Sequence, residues 1–213
     1  TKGKGNIRLL NEAGYDAVTI GNNEGITMSK EALSTLYDEA EFDVILGDNE
    51  GEFNRSAARN AGVEKSTSEI SVLIDADNFI KHENIYEAIE LAKKNNALVK
   101  PFKFFGYITE KSTENFYEFF GILDVKYDFI NDPQKGFTGG AYVMKKSLWQ
   151  SIGGMDEGFI GWGAEDDAFH LLVEKKLGKV LYGSEMDIHL YHPAYRVTSD
   201  YNYQKLQREY VGG

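Results

Sequence analysis

No cysteine occurs in this chain. A disulfide framework and thiolate chemistry are therefore excluded, and the absence fits a reducing cytoplasm, the expected location. No apolar run approaches the ~20 residues needed to span a bilayer, and no charged-then-apolar leader opens the sequence. Positive charge is scarce: 23 Lys and Arg stand against 34 Asp and Glu, a net charge of −11. Nucleic acid is thereby excluded as a main partner, since a phosphate backbone calls for a basic footprint. A small diphosphate is not excluded, because a metal ion and one or two arginines neutralise it locally. Internal repeats, low-complexity tracts and linkers are also missing. With 213 residues, 42% of them hydrophobic, one domain over residues 1–213 with a sizeable core is expected.

What is present reads as alternating strands and helices. Strands are expected over residues 16–20, 42–46 and 70–74, and helices over 6–13, 29–40, 52–63 and 82–95. That order predicts an α/β fold with a doubly wound, mostly parallel sheet, whose ligands sit at the carboxyl ends of the strands. Residues 97–107 are extended and aromatic. Residues 115–130, rich in Phe and Tyr, read as a covering helix or an acceptor-channel wall. A strand at 140–144, helices at 146–152 and 164–176, and strands at 179–182 and 187–191 follow. The polar, aromatic tail 199–213 has no clear role.

Two segments carry chemistry. The stretch from Gly153 to Asp167 is a glycine-rich loop with one tryptophan, running into Glu165, Asp166 and Asp167. Glycines allow close backbone approach, Trp162 offers a flat face and an N–H, and an acid at the loop's end can take a proton from a hydroxyl. Three adjacent acids are expected to raise one another's pKa. Upstream, the apolar run 71–74 ends in Asp75-Ala76-Asp77. Residues two apart in a strand share a side, so both carboxylates are expected to face one hard divalent cation. Taken alone, an Asp-x-Asp is as well explained by a solvated strand end or a helix cap.

Five blocks in order change that balance: Phe53-Asn54-Arg55 with Asn60-x-Gly62; Asp75-x-Asp77; Phe137-Thr138-Gly139-Gly140-Ala141 with Gly153-Gly154-Met155-Asp156; Gly161-Trp162-Gly163-x-Glu165-Asp166-Asp167; and Met186-x-x-His189. From about residue 53 to 193 the chain resembles nucleotide-sugar glycosyltransferases of the GT-A fold, nearest to the beta-1,4-galactosyltransferase and polypeptide N-acetylgalactosaminyltransferase groups. The resemblance implies a metal-dependent, inverting transfer of a hexose or N-acetylhexosamine from a UDP-sugar to a glycan or other hydroxyl acceptor.

The resemblance also implies roles. Asp77 is the direct ligand of Mn2+ or Mg2+. Asp75 either joins it or faces the ribose or a bound water. His189 is the third metal candidate, His192 its rival, and Met186 either a thioether ligand or a core residue. Asp166 is the general base and Glu165 binds a sugar hydroxyl. Trp162 borders the sugar or anchors the loop, and Asp167 caps the following helix. Arg55 contacts diphosphate or uracil, and Arg59 joins it or forms a helix salt bridge. Asp48 contacts uracil or ribose, and Gly139 and Gly140 let backbone approach the donor sugar. The loop from Gly153 to Gly163 is expected to close over the donor.

The first ~50 residues depart from the family's opening. Residues 17–24, Ala-Val-Thr-Ile-Gly-Asn-Asn-Glu, resemble instead the Gly-Asn-His-Glu segment of calcineurin-like metallophosphoesterases, with Asn23 in place of His. The other ligands of a two-metal phosphoesterase are missing. A catalytically inactive nucleotide- or sugar-binding module, or a chimera with a metallophosphoesterase-derived start, stands as the alternative reading.

Overall fold

A computed structural model describes residues 17–19, 43–45, 54–75, 77–119, 126–132, 139–193 and 200–212. The helices expected at 6–13 and 29–40, and Asp48, lie outside them. β1 (Ala17–Thr19) and β2 (Asp43–Ile45) pair in parallel. α1 (Arg55–Lys65) follows, its first turn capped by the Asn54 side chain, which accepts from the Ala57 N–H at 2.9 Å. Then come β3 (Ile70–Ile74), β4 (Asn78–Phe79) and α2 (His82–Asn95). Asn96 ends α2 in the left-handed region at φ 49°, a conformation Asn tolerates.

β5 (Val99–Lys100) and β6 (Phe104–Ile108) occupy the extended aromatic stretch. The covering helix expected at 115–130 is corrected. α3 (Glu110–Phe119) starts earlier, and β7 (Tyr127–Asn131) is a strand paired antiparallel with β6. β8 (Ala141–Lys145), α4 (Lys146–Ile152), α5 (Glu165–Leu177), β9 (Leu181–Tyr182) and β10 (Met186–His189) complete the expected order. The tail forms α6 (Asp200–Leu206) and a π-helical turn, Gln207–Val211.

Besides the β1–β2 pair, the strands form two mixed sheets, β3-β8-β5-β9 and β4-β10-β6-β7. In the first, alternation along β8 sends Val143 toward Ala88 and Ala92 of α2, and Tyr142 and Met144 toward Val63, Trp149, Phe169 and Val173. Helices thus cover both faces of this sheet. Parallel pairing holds for β1–β2, β5–β9 and β6–β10, but β4–β10 and β6–β7 are antiparallel, so the mostly parallel sheet expected is corrected to mixed ones, and β8 runs antiparallel to both its neighbours. This reversal builds the site. Ile74 pairs with Ala141, so the residues before β8 lie beside those after β3, and the Asp75 N–H donates to the Gly140 carbonyl at 2.9 Å.

Candidate active site

β3 ends at Ile74, so Asp75 and Asp77 belong to a turn in which the Asn78 N–H reaches the Asp75 carbonyl at 2.9 Å. The shared strand face expected for them is therefore corrected, because the alternation rule stops where the strand stops. The two carboxylates separate. Asp77 Oδ2 lies 3.1 Å from His192 Nε2 and 3.6 Å from His189 Nε2. These three residues form the one cluster among the described residues able to hold a metal ion, and Asp75 is not in it. Both histidines that competed for one role are present.

Burial, assisted by His192, pulls the His189 imidazole below its ordinary pKa despite Asp77. The ring is thus kept neutral, the form that ligates metals. Tyr107 stacks on His189 with centroids 4.4 Å apart and on Phe129 at 4.2 Å, which fixes the plane of the imidazole. Met186 is excluded from this group. In β10, Met186 and Ile188 face one way and Asp187 and His189 the other. Met186 lines a cavity of about 300 Å3 with Phe79, Lys81, Tyr127, Glu185 and Ile188. Met186 is half-buried at the edge of that cavity.

Asp75 turns to the second half of the site. Arg59 Nη2 donates to Asp75 Oδ1 at 2.5 Å and Nη1 donates to Asp166 Oδ1 at 2.7 Å. The Tyr142 hydroxyl donates to the same Asp166 oxygen at 2.6 Å. Arg55, one helical turn before Arg59, donates to Glu165 Oε1 at 2.9 Å and to Asp166 Oδ2 at 3.4 Å. The expectation that three adjacent acids raise one another's pKa holds for Glu165, where burial and Asp166 outweigh Arg55. It is corrected for Asp166. Burial pushes that carboxyl up, but Arg59, Arg55 and the Tyr142 hydroxyl outweigh it and hold it well below the usual carboxylate range.

The glycine-rich loop enters α5 through Gly161 (φ +81°), Gly163 (φ +103°) and Ala164 (φ +70°). A left-handed alanine stores strain of the order of 1 kcal/mol. It is held by Glu165, whose Oε2 accepts the Gly163 N–H at 3.1 Å. The first turn of α5 carries Glu165, Asp166 and Asp167, where negative charge meets the positive end of the helix dipole. Ala164 stands at the cap position, so Asp167 is a first-turn residue rather than the cap. Trp162, half-buried, precedes this turn.

Sequence reasoning missed how firmly the loop is anchored. Asn60 donates to the Met155 carbonyl and Glu157 Oε1, both at 2.8 Å, and accepts from the Met155 N–H at 2.9 Å and Trp149 Nε1 at 3.2 Å. The Asn54 side chain donates to the Glu157 carbonyl at 2.7 Å. From the other side, Asn202 donates to the Ile160 carbonyl at 3.0 Å, while Lys205 and Tyr210 each reach Asp156 Oδ2 at 2.8 Å. The tail thus clamps the loop. Its spacing gave no sign of this, because none of these partners is near in sequence.

The profile of glycosyl transferase family 2 matches residues 27–151, more than half of the chain. The chain belongs to glycosyl transferase family 2. A second profile, the N-terminal domain of galactosyltransferase, matches residues 124–194 of this family 2 glycosyltransferase and takes in the glycine-rich loop, the acids and both site histidines. Among solved structures, GalNAc-T7 with UDP, GalNAc and Mn2+ superposes with a TM-score of 0.60 at 14% identity, over 92% of this chain and 42% of that one. A mutant of Drosophila beta-1,4-galactosyltransferase 7 with manganese, UDP-Gal and xylobiose gives 0.54 at 14%, over 91% and 79%. Glucosyl-3-phosphoglycerate synthase from Mycobacterium tuberculosis, with Mn2+, UDP and glucosyl-3-phosphoglycerate, gives 0.51 at 13%, over 99% and 74%. At such identities the likeness establishes the GT-A fold. A 46-residue segment is 56% identical to the uncharacterized metallophosphoesterase YunD of Bacillus subtilis, 22% of this chain and 10% of that protein. The chain therefore matches about a tenth of that curated relative's length. Among the described residues no helix is long and apolar enough to cross a membrane.

Proposed function

We propose that this chain moves a hexose or N-acetylhexosamine from a UDP-sugar to a hydroxyl acceptor in one inverting displacement. The observation that carries the reading is Arg59, whose single guanidinium joins Asp75, next to the metal cluster, to Asp166 on the glycine-rich loop. A donor site and an acceptor site held one guanidinium apart is the arrangement that direct transfer between bound sugars requires.

Asp77, His189 and His192 supply one carboxylate oxygen and two imidazole nitrogens, a donor set that suits Mn2+. Bound there, the ion supplies Lewis acidity to the departing diphosphate. The remaining steps belong to the chain. Arg55 makes the longer contact to Asp166, 3.4 Å, and turning toward the donor's diphosphate exchanges that contact and its 2.9 Å bond to Glu165 for the phosphate oxygens. Its departure uncovers Asp166 Oδ2 and removes one of the charges that depress that carboxyl. Asp166 then takes the proton of the acceptor hydroxyl as the oxygen attacks the anomeric carbon. The bond from that carbon to the diphosphate breaks on the opposite side. Glu165, which keeps the Gly163 N–H as its partner when Arg55 turns away, orders the loop and offers its freed oxygen to a sugar hydroxyl. Trp162 borders the sugar, and Gly139 and Gly140 form the donor floor.

The test is calorimetric titration of UDP into the protein with manganese and again with chelator. Manganese-dependent binding in the micromolar range, about −8 kcal/mol, supports the reading. A folded sample that binds UDP in neither condition overturns it.

A further inference from the structure

Lys100 is fully buried, with no exposed surface at all. It sits at the end of β5, directly under the segment that leads into β8. Its Nζ donates to the Gly139 carbonyl at 2.8 Å. The same nitrogen lies 4.5 Å from the centroid of the Tyr142 ring, within the range where a cation is held by an aromatic face. The next carbonyl along, that of Gly140, accepts from the Asp75 N–H. Gly140 itself adopts φ +95°, and a Cβ there would press on Asn78, Phe102 and Phe105 at 3.2–3.3 Å. The backbone at Gly139–Gly140 is thus pinned from below by a lysine and from the side by the Asp75 turn. The mechanism above gives Lys100 no task, and a lysine is an expensive residue to bury for packing alone.

We propose that Lys100 is a positioning residue of the donor-sugar pocket: its side-chain nitrogen fixes the Gly139 carbonyl and supports the Tyr142 ring, whose hydroxyl aims Asp166. The proposal rests on the transferase reading, since Gly139–Gly140 is a donor floor only under it. One nitrogen thereby ties the donor floor to the base, through contacts that involve neither UDP nor the metal cluster.

Burial pulls the Lys100 ammonium down to about 7, as expected for a lysine deprived of water. Asp166, Asp75 and Asp167 favour its charge, and Arg59 opposes it. His170 of α5 also senses it, and its own pKa is lowered by burial and by Lys100. Below about pH 7 the ammonium is charged, and its bond to Gly139 and its attraction to the Tyr142 ring, and to Phe102 at 5.7 Å, are at full strength. Above that pH the amine still donates to Gly139, but the attraction to the Tyr142 ring is lost. Donor-sugar handling therefore weakens as pH rises through about 7, while recognition of UDP does not.

The experiment uses the full chain with Mn2+ and four probes: UDP-galactose, UDP-glucose and their two N-acetylhexosamine counterparts. Water serves as acceptor, so UDP release reports turnover. KM for the best donor and Kd for UDP are measured from about pH 6 to about pH 8.5, on both sides of the value near 7. Expected is a donor KM that rises about fivefold on the alkaline side while the UDP Kd stays within about twofold. In Lys100→Met the donor KM is already raised at pH 6 and the alkaline rise is gone, with UDP binding retained. A flat wild-type donor KM, or a folded Lys100→Met protein whose donor KM and pH profile match wild type, overturns the inference. The wild-type profile decides the matter even if the variant does not fold. The transferase reading fails differently: UDP does not bind with Mn2+, and no donor is turned over at any pH.

Discussion

Arg59 donates to Asp166 at 2.7 Å from inside the protein, with its side chain only 9% exposed. Its other terminal nitrogen is committed to Asp75. Removing the guanidinium would leave Asp166, whose side chain is 17% exposed, with only the Tyr142 hydroxyl and the longer contact to Arg55. Arg59→Met is therefore expected to cost about 3 kcal/mol at neutral pH, the low end for a broken buried pair because Asp75 is partly solvated. Urea unfolding measures it. The sign with pH follows from Asp166, whose folded-state pKa lies below its unfolded value of about 3.9. The stabilisation is present above about pH 4 and fades as pH falls through the folded value. The gap between wild type and variant should narrow in acid, and a gap that stays constant there would contradict the pairing.

Asp166→Asn keeps the shape of the side chain and, with its amide oxygen in the Oδ1 place, the contacts from Tyr142 and Arg59, but its NH2 group replaces the oxygen that Arg55 reaches and it accepts no proton. Manganese-dependent UDP binding is expected to persist within about threefold, and transfer to fall by roughly 10²–10⁴-fold. Transfer near the wild-type rate would remove Asp166 from the role of base and move attention to Glu165, the acid whose pKa is raised.

The metal cluster separates histidine from methionine. His189→Ala and His192→Ala should each weaken manganese-dependent UDP binding by about tenfold or more, about 1.4 kcal/mol per decade. Met186→Leu should leave it unchanged, because that side chain faces the opposite side of β10, into the cavity it shares with Phe79 and Tyr127. Chelator should erase the difference between wild type and both histidine variants. A Met186→Leu protein with weakened metal dependence would refute the orientation of β10.

Asn60 anchors the glycine-rich loop with four hydrogen bonds. Asn60→Ala leaves the Met155 N–H and the Trp149 indole N–H without their acceptor, at a cost of about 2–4 kcal/mol. Gly154→Ala should be equally damaging. Its φ is +71°, and the added methyl would collide with Asn60 Oδ1 and Trp149 Nε1. Thermal unfolding reports both. A Gly154→Ala protein as stable as wild type would show that the loop is not clamped here, as a freely closing lid requires.

Much of the fold was legible because periodicity is local. The strand at 70–74 and the helices at 82–95 and 146–152 follow from apolar spacing and flanking breakers, and they stand where expected. In the stretch 115–130 the aromatics fit a helix face and a strand face alike, so spacing does not separate the end of α3 from β7, which is settled by its pairing with β6. Arg55 and Arg59 stand four apart in the sequence, a spacing that puts them on one helix face, and they converge on Asp166.

By itself the sequence determined the chemical inventory: carboxylates after a buried strand, a glycine-rich loop ending in three acids, two late histidines and a family 2 profile. It also determined the alternation of elements that yields an α/β fold. Only the tertiary structure decided how that inventory is divided. Asp77 goes to the histidines and Asp75 to Arg59, because the chain turns between them. Asp166 is held ionised where neighbouring acids alone would have raised it, because two arginines from another helix meet it. Met186 is turned away from His189 by the alternation of β10, and Lys100 is placed beneath Gly139 by strand pairing. Electrostatic environment and side-chain direction depend on contacts between residues far apart in the chain, which spacing along the sequence does not encode.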